Sequence, residues 1–230
     1  MGSLGIDALV VDVLGTLVDE PAGISQGIRE LAPTLDEAGV LRLLETWQSH
    51  VEREQRRVVT RDRAYVASDT LDQEAARIVT DTVGLDDPAA LARLTKAAKR
   101  LPPWPDTAAG LAALAEQLPL IGLSNASRSA LLELNFHAGL RWHQALSAED
   151  AETYKPARSV YGLAVAVSGV SPQRLLMVAA HAWDLRGAQQ LGMRTAYVAR
   201  PVGDPPRSSD RFDFHAEDLA DLASQLASRS

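Results

Sequence analysis

Short apolar runs alternate along the chain with longer stretches of helical periodicity, the pattern of parallel strands joined by helices. The apolar runs predict strands over residues 8–13, 120–123, 144–147, 175–178 and 194–198, with a weaker one near Phe212 to Phe214. The periodicity between them predicts helices over residues 128–137, 157–167 and 184–191. Gly139, Gly169 and Gly192 stand where C-terminal caps are common. This is the layout of an α/β fold with a Rossmann-like, doubly wound parallel sheet.

The interval from Val18 to Lys99 departs from that alternation: it is rich in Ala, Leu, Glu and Arg and holds no convincing strand. It predicts an all-helical insertion after the first strand. Pro102-Pro-Trp-Pro105 then breaks helical continuity and returns the chain to the core, ahead of a helix over residues 107–117. Gly203-Asp-Pro-Pro206 reads as an exposed loop, and residues 216–227 as a terminal amphipathic helix.

Composition narrows the chemistry. The 230 residues include no cysteine, so disulfides, thiolate metal sites and cysteine nucleophiles are excluded. A net charge of -7 with no block of lysine or arginine argues against nucleic acid and acidic membrane surfaces as partners. No apolar run approaches spanning length, and Met1 to Asp7 lack a charged start leading into a hydrophobic core. The expectation is a cytoplasmic protein acting on a small molecule.

In an open parallel sheet, ligands bind at the carboxyl ends of the strands where the topology switches. Four segments bring polar residues to that edge. In Val11-Asp-Val-Leu-Gly-Thr-Leu-Val18, Asp12 ends an apolar strand as a candidate nucleophile or as part of an ordinary capped turn. Gly15 allows a sharp reversal, and Thr16 could bond that carboxylate or a substrate. In Leu123-Ser-Asn-Ala-Ser127, Ser124 and Asn125 either hold an anion or cap the next helix. In Tyr154-Lys-Pro156 the proline restricts Lys155 to extended conformations, so an inward lysine would offset the charge of Asp12; the alternative is a solvated surface lysine. Tyr161 offers a hydroxyl to the site or is a half-buried core tyrosine. In the fourth segment Asp184 either caps a helix or orients Lys155 and activates water, and His181 lines a pocket or is satisfied at a strand end.

Taken in order, Asp12-Val-Leu-Gly-Thr16, Leu123-Ser-Asn125, Tyr154-Lys-Pro156 and Ala182-Trp-Asp184 resemble the four motifs of haloacid dehalogenase superfamily enzymes. The Tyr-Lys-Pro and Ala-Trp-Asp phrases resemble the L-2-haloacid dehalogenase branch in particular. That resemblance implies a core of residues 1–17 and 100–230 carrying a helical cap domain over residues 18–99. It implies a (S)-2-haloacid dehalogenase in which Asp12 displaces halide, leaving an ester that water cleaves, with Lys155 and Asp184 assisting. Thr16, Leu14, Gln48, Ser124, Asn125, Tyr161, His181 and Trp183 are the residues expected around the substrate. It also implies a homodimer.

The superfamily's phosphatases resemble Asp-x-Asp at the first motif and carry a further acid four residues before the last aspartate. Here those positions are Leu14 and Ala180, which would leave a magnesium site short of oxygen ligands, so no metal or other cofactor is expected. Within the dehalogenase branch the chain departs at Leu14, at His181 and at Gln48, where an arginine commonly follows a cap tryptophan. Arg53, Arg56 and His181 are candidates to replace that cation. The competing functions are a phosphatase with unusual metal ligation and a binding protein that keeps the scaffold without turnover.

Overall fold

A computed structural model describes residues 5–229. Most of the segment Met1 to Asp7 judged above therefore lies outside the described residues. Six strands form one sheet in the order β3-β2-β1-β4-β5-β6: β1 (Ala8–Val11), β2 (Leu120–Ser124), β3 (Gln144–Ser147), β4 (Leu175–Ala179), β5 (Arg194–Val198) and β6 (Phe214–Ala216). Every neighbouring pair is parallel.

The central strand explains why its sequence is apolar without alternation. Leu9 and Val11 enter one core layer, while Ala8 and Val10 enter the other. The first layer is closed by Leu111 and Leu114 of α5 (Thr107–Ala115), Leu131 and Leu134 of α6 (Arg128–His137), and Leu219, Leu222 and Leu226 of α9 (Leu219–Arg229). The second is closed by Val160 and Tyr161 of α7 (Arg158–Ser168) and Leu185 of α8 (Ala182–Leu191). Helices cover both faces, and β1 separates β2 from β4, so the strand order switches at the end of β1.

Between β1 and α5 the chain forms α1 (Glu20–Leu31), α2 (Glu37–Val59), α3 (Ser68–Thr82) and α4 (Pro88–Ala97). Asp19, Asp36 and Asp87 each cap a helix through a backbone amide, and Pro21 and Pro88 sit in first turns that need no amide donor.

Several boundaries differ from expectation. The last strand lies at Phe214–Ala216 rather than near Phe212 to Phe214, because the 212–213 segment is spent turning, with Asp213 anchored to Thr195. The helix after the prolines stops at Ala115, and the terminal helix begins at Leu219. Gly169 and Gly192 are left-handed C-caps, whereas Gly139 follows the cap residue Ala138 with φ 67°. The Gly203 to Pro206 loop is only partly exposed: the Asp204 carboxylate accepts from the amide of Trp183 at the start of α8.

Candidate active site

Asp12 follows β1 directly, and its amide continues the ladder to the carbonyl of Val178. The chain then reverses: Gly15 adopts φ 75°, and its amide donates to the carbonyl of Val18. Trp104 Nε1 donates to the Gly15 carbonyl, Thr107 Oγ1 to that of Leu17 and Arg200 Nε to that of Thr16. The turn carrying Asp12 is thus held by groups from the returning core.

Both oxygens of the Asp12 carboxylate are partnered. Thr16 Oγ1 donates to Oδ2 at 2.6 Å, and Lys155 Nζ donates to Oδ1 at 2.8 Å. Thr16 Oγ1 in turn accepts from the amide of Ala180 at 2.9 Å, so its hydroxyl is committed on both sides. Lys155 Nζ also donates to Asp184 Oδ2 at 2.8 Å, and Tyr161 donates its hydroxyl to Asp184 Oδ1 at 2.7 Å. Lys155, Asp184 and Tyr161 are buried, and Asp12 is nearly so.

Burial opposes the charge on Lys155, but the two adjacent carboxylates outweigh it and hold the ammonium above the ordinary lysine range. Burial raises Asp184, with the Asp12 charge acting in the same sense and Lys155 and Tyr161 against it. The Tyr161 phenol is pushed up by burial and by Asp184, and stays a donor. One ammonium thus serves two carboxylates in a nearly dry cluster.

A cavity of about 820 Å³ opens over this cluster. Asp12, Lys155 and Asn125 reach it from the sheet edge, Leu14 and His181 from the loops after β1 and β4, and Trp183 from the first turn of α8. Gln48 lines it from α2, so the helical insertion supplies the opposite wall. The other residues expected around the substrate sit behind that surface. Thr16 is enclosed by Asp12 and Ala180, and Tyr161 is a fully buried core residue whose hydroxyl serves Asp184. Ser124 is buried with its Oγ accepting from the amide of Ala126, while Ser127 caps α6.

Asp184 does not cap α8: its side chain turns inward to Lys155 and Tyr161. Asp204 does that work from the distant loop, accepting the Trp183 amide at 2.9 Å. Of the cations considered in place of a cap arginine, Arg53 turns to His50 and Glu54. Arg56 lines the cavity but is paired with Glu52 at 2.6 Å, and His181 lies against the Leu14 carbonyl and Trp183.

Glu20, Gln55 and Asp204 also line the cavity and were not anticipated. Gln55 lies seven residues after Gln48 on α2, on the same helical face, so periodicity carried a signal for it. Glu20 begins α1 and had no motif to mark it; burial raises its carboxyl, partly offset by His181 and reinforced by Asp12. Among the described residues no cluster of three or more His, Asp or Glu side chains is arranged to hold a metal ion. No helix among them is long and apolar enough to cross a membrane.

The architecture and sequence have known counterparts. A (S)-2-haloacid dehalogenase of Pseudomonas putida is 30% identical over 226 residues, covering 96% of each protein. The crystal structure of the L-2-haloacid dehalogenase PA0810 superposes with a TM-score of 0.88 at 33% identity, covering 97% of this chain and 99% of that one. The L-2-haloacid dehalogenase of Xanthobacter autotrophicus with chloropropionic acid covalently bound superposes with a TM-score of 0.85 at 25% identity, over 98% and 100% of the chains. The family model for haloacid dehalogenase-like hydrolases matches residues 6–192. With that match spanning most of the sequence and the motifs gathered at one sheet edge, the chain belongs to the haloacid dehalogenase-like hydrolases.

Proposed function

We propose that the protein is a (S)-2-haloacid dehalogenase that works through an ester on Asp12. The observation that carries this reading is the Asp12 carboxylate itself. It faces the cavity at the topological switch point, with one oxygen held by Thr16 and the other by Lys155.

A carboxylate oxygen of Asp12 attacks C2 of the haloacid from the side opposite the halogen. The C–O bond forms as the carbon–halogen bond breaks, and halide leaves with the bonding electron pair. Water then adds to the ester carbonyl carbon of Asp12, gives up a proton to a carboxylate base, and releases the 2-hydroxy acid with C2 inverted. Splitting one displacement into two steps is the advantage of a covalent route. Lys155 offsets charge on the reacting carboxylate throughout, and Asp184, raised by burial, is the base beside it. Thr16, Ser124 and Tyr161 act from behind the wall, as orienters. Leu14 and Trp183 bound the substrate on apolar surfaces, while Gln48, Asn125 and His181 offer polar contacts to its carboxylate or departing halide.

No metal takes part in this scheme. Leu14 and Ala180 supply no oxygen side chains where the phosphatase pattern has acids, and an ammonium already lies between the two carboxylates. We assign residues 18–99 to a cap domain and the remaining described residues to the core. We infer a cytoplasmic homodimer; sedimentation tests the dimer.

The decisive experiment compares halide release from small (S)-2-haloacids by the parent and by Asp12→Asn, with chelator present. Release by the parent, loss in the variant and an adduct on the Asp12 peptide are expected. Turnover that survives the substitution rules out Asp12, and turnover only of phosphate esters with Mg²⁺ replaces the reading with a phosphatase.

A further inference from the structure

The cavity-facing side chain of Gln55 is linked to the reacting cluster by a chain of hydrogen bonds. The amide of Lys155 donates to Asn125 Oδ1 at 2.8 Å, and Asn125 Nδ2 donates to Gln55 Oε1 at 3.1 Å. The first bond fixes the polarity of the second. A backbone N–H can only donate, so the oxygen of Asn125 must face Lys155 and its amino group must face α2. Gln55 is therefore required as an acceptor.

A second contact grips the same stretch of chain. Tyr154, the residue before Lys155, donates its hydroxyl to the carbonyl of Val66 at 2.7 Å. Val66 lies between α2 and α3, so the helical insertion holds both Tyr154 and, through Asn125, Lys155. The Lys155 side chain is buried and its ammonium is held between two carboxylates, so a backbone shift at residue 155 is carried to Nζ.

We propose that Gln55 is a positioning residue: by accepting the Asn125 amide it holds the backbone of Lys155, and with it the ammonium, in register with Asp12. This rests on the dehalogenase reading for its kinetic consequence but not for the contact itself. The helical insertion then does more than enclose substrate, because the charge that serves the nucleophile is aligned only while α2 is seated against Asn125.

Two variants test this in the full-length protein. Gln55→Met keeps length and helix propensity but removes the acceptor; Gln55→Glu keeps an acceptor oxygen. The expected result for Gln55→Met is hydrogen exchange at the Lys155 amide faster by about tenfold and kcat lower by about tenfold, with KM changed little, the scale of one lost hydrogen bond. Gln55→Glu should keep parental protection at Lys155 and lose clearly less kcat than Gln55→Met, whatever its KM for an anionic substrate. Unchanged exchange in Gln55→Met, or equal losses in both variants, overturns the proposal. If the parent releases no halide, the functional reading fails, and the exchange rates alone decide whether Gln55 holds Lys155.

Discussion

The imidazole of His181 occupies the space that a side chain on Gly15 would need: a Cβ there would lie 2.4 Å from Nε2. The same glycine has φ 75°, so conformation and space both exclude larger residues at the turn that presents Asp12. Gly15→Ala should cost about 1–2 kcal/mol from the left-handed backbone alone, with the clash added to it. Urea unfolding measures the total. In Gly15→Ala combined with His181→Ala the clash is gone and only the backbone part should remain, so the two substitutions should be non-additive.

The Lys155 ammonium bridges two buried carboxylates, those of Asp12 and Asp184, and its loss should be felt in folding as well as in turnover. Breaking such a cluster by removing one member costs roughly 3–5 kcal/mol. Lys155→Met should therefore destabilise strongly at neutral pH and abolish halide release. The folded-state ammonium is held above its ordinary range, so its contribution is complete at neutral pH and fades only as strongly alkaline pH titrates it. Acid protonates the orphaned carboxylates of the variant, so the gap between variant and parent should narrow as pH falls. Urea midpoints at neutral and acidic pH check both statements.

The parts of this site that could be read in sequence are those in which local pattern and tertiary role agree. Asp12, Asn125, Lys155 and His181 each follow an apolar strand, and a parallel sheet gathers strand ends on one edge whatever the loops do. Asp184 was harder, because an aspartate in the first turn of a helix reads as a cap. Its inward turn depends on Lys155 and Tyr161, 29 and 23 residues away. Asp204 and Glu20 lie in segments whose composition signals only a loop and a helix start. Gln48 and Gln55 share a helix face that reads as solvent-facing until the sheet edge is placed opposite it. The short edge strand β6 was misplaced because its middle residue, His215, is exposed and breaks the apolar run.

Glu20 opens α1 at the cavity wall, where Asp12 and His181 act on its carboxyl, while burial and Glu20 together raise the carboxyl of Asp72 on α3. Burial, with the Asp12 charge added, raises the Glu20 carboxyl despite His181. A carboxyl raised on folding contributes most to stability below its unfolded value, and that contribution is lost as pH rises through its folded value. Glu20→Gln has no such titration. The variant should therefore gain stability relative to the parent as pH rises through and above the ordinary glutamate range. A constant difference across that range would show that Glu20 is not carrying a burial penalty.

Asp204 caps α8 from a loop that follows β5, and it accepts the amide of Trp183, a wall of the cavity. Its backbone carbonyl also accepts the amide of Ala182, and Arg186 approaches the carboxylate at 3.5 Å. Removing the side chain leaves the helix-start amide without its partner, a loss of about 0.5–2 kcal/mol for typical caps. Asp204→Ala should lower stability by that amount, while Asp204→Asn, which keeps an acceptor oxygen, should lose only the charge-dependent part. Because α8 also carries Asp184, a frayed first turn would loosen Trp183 and Asp184 together. The alanine variant should therefore raise KM and lower kcat, and the asparagine variant should restore most of both; equal kinetic losses in the two would assign the effect to charge at the cavity mouth instead of to the cap.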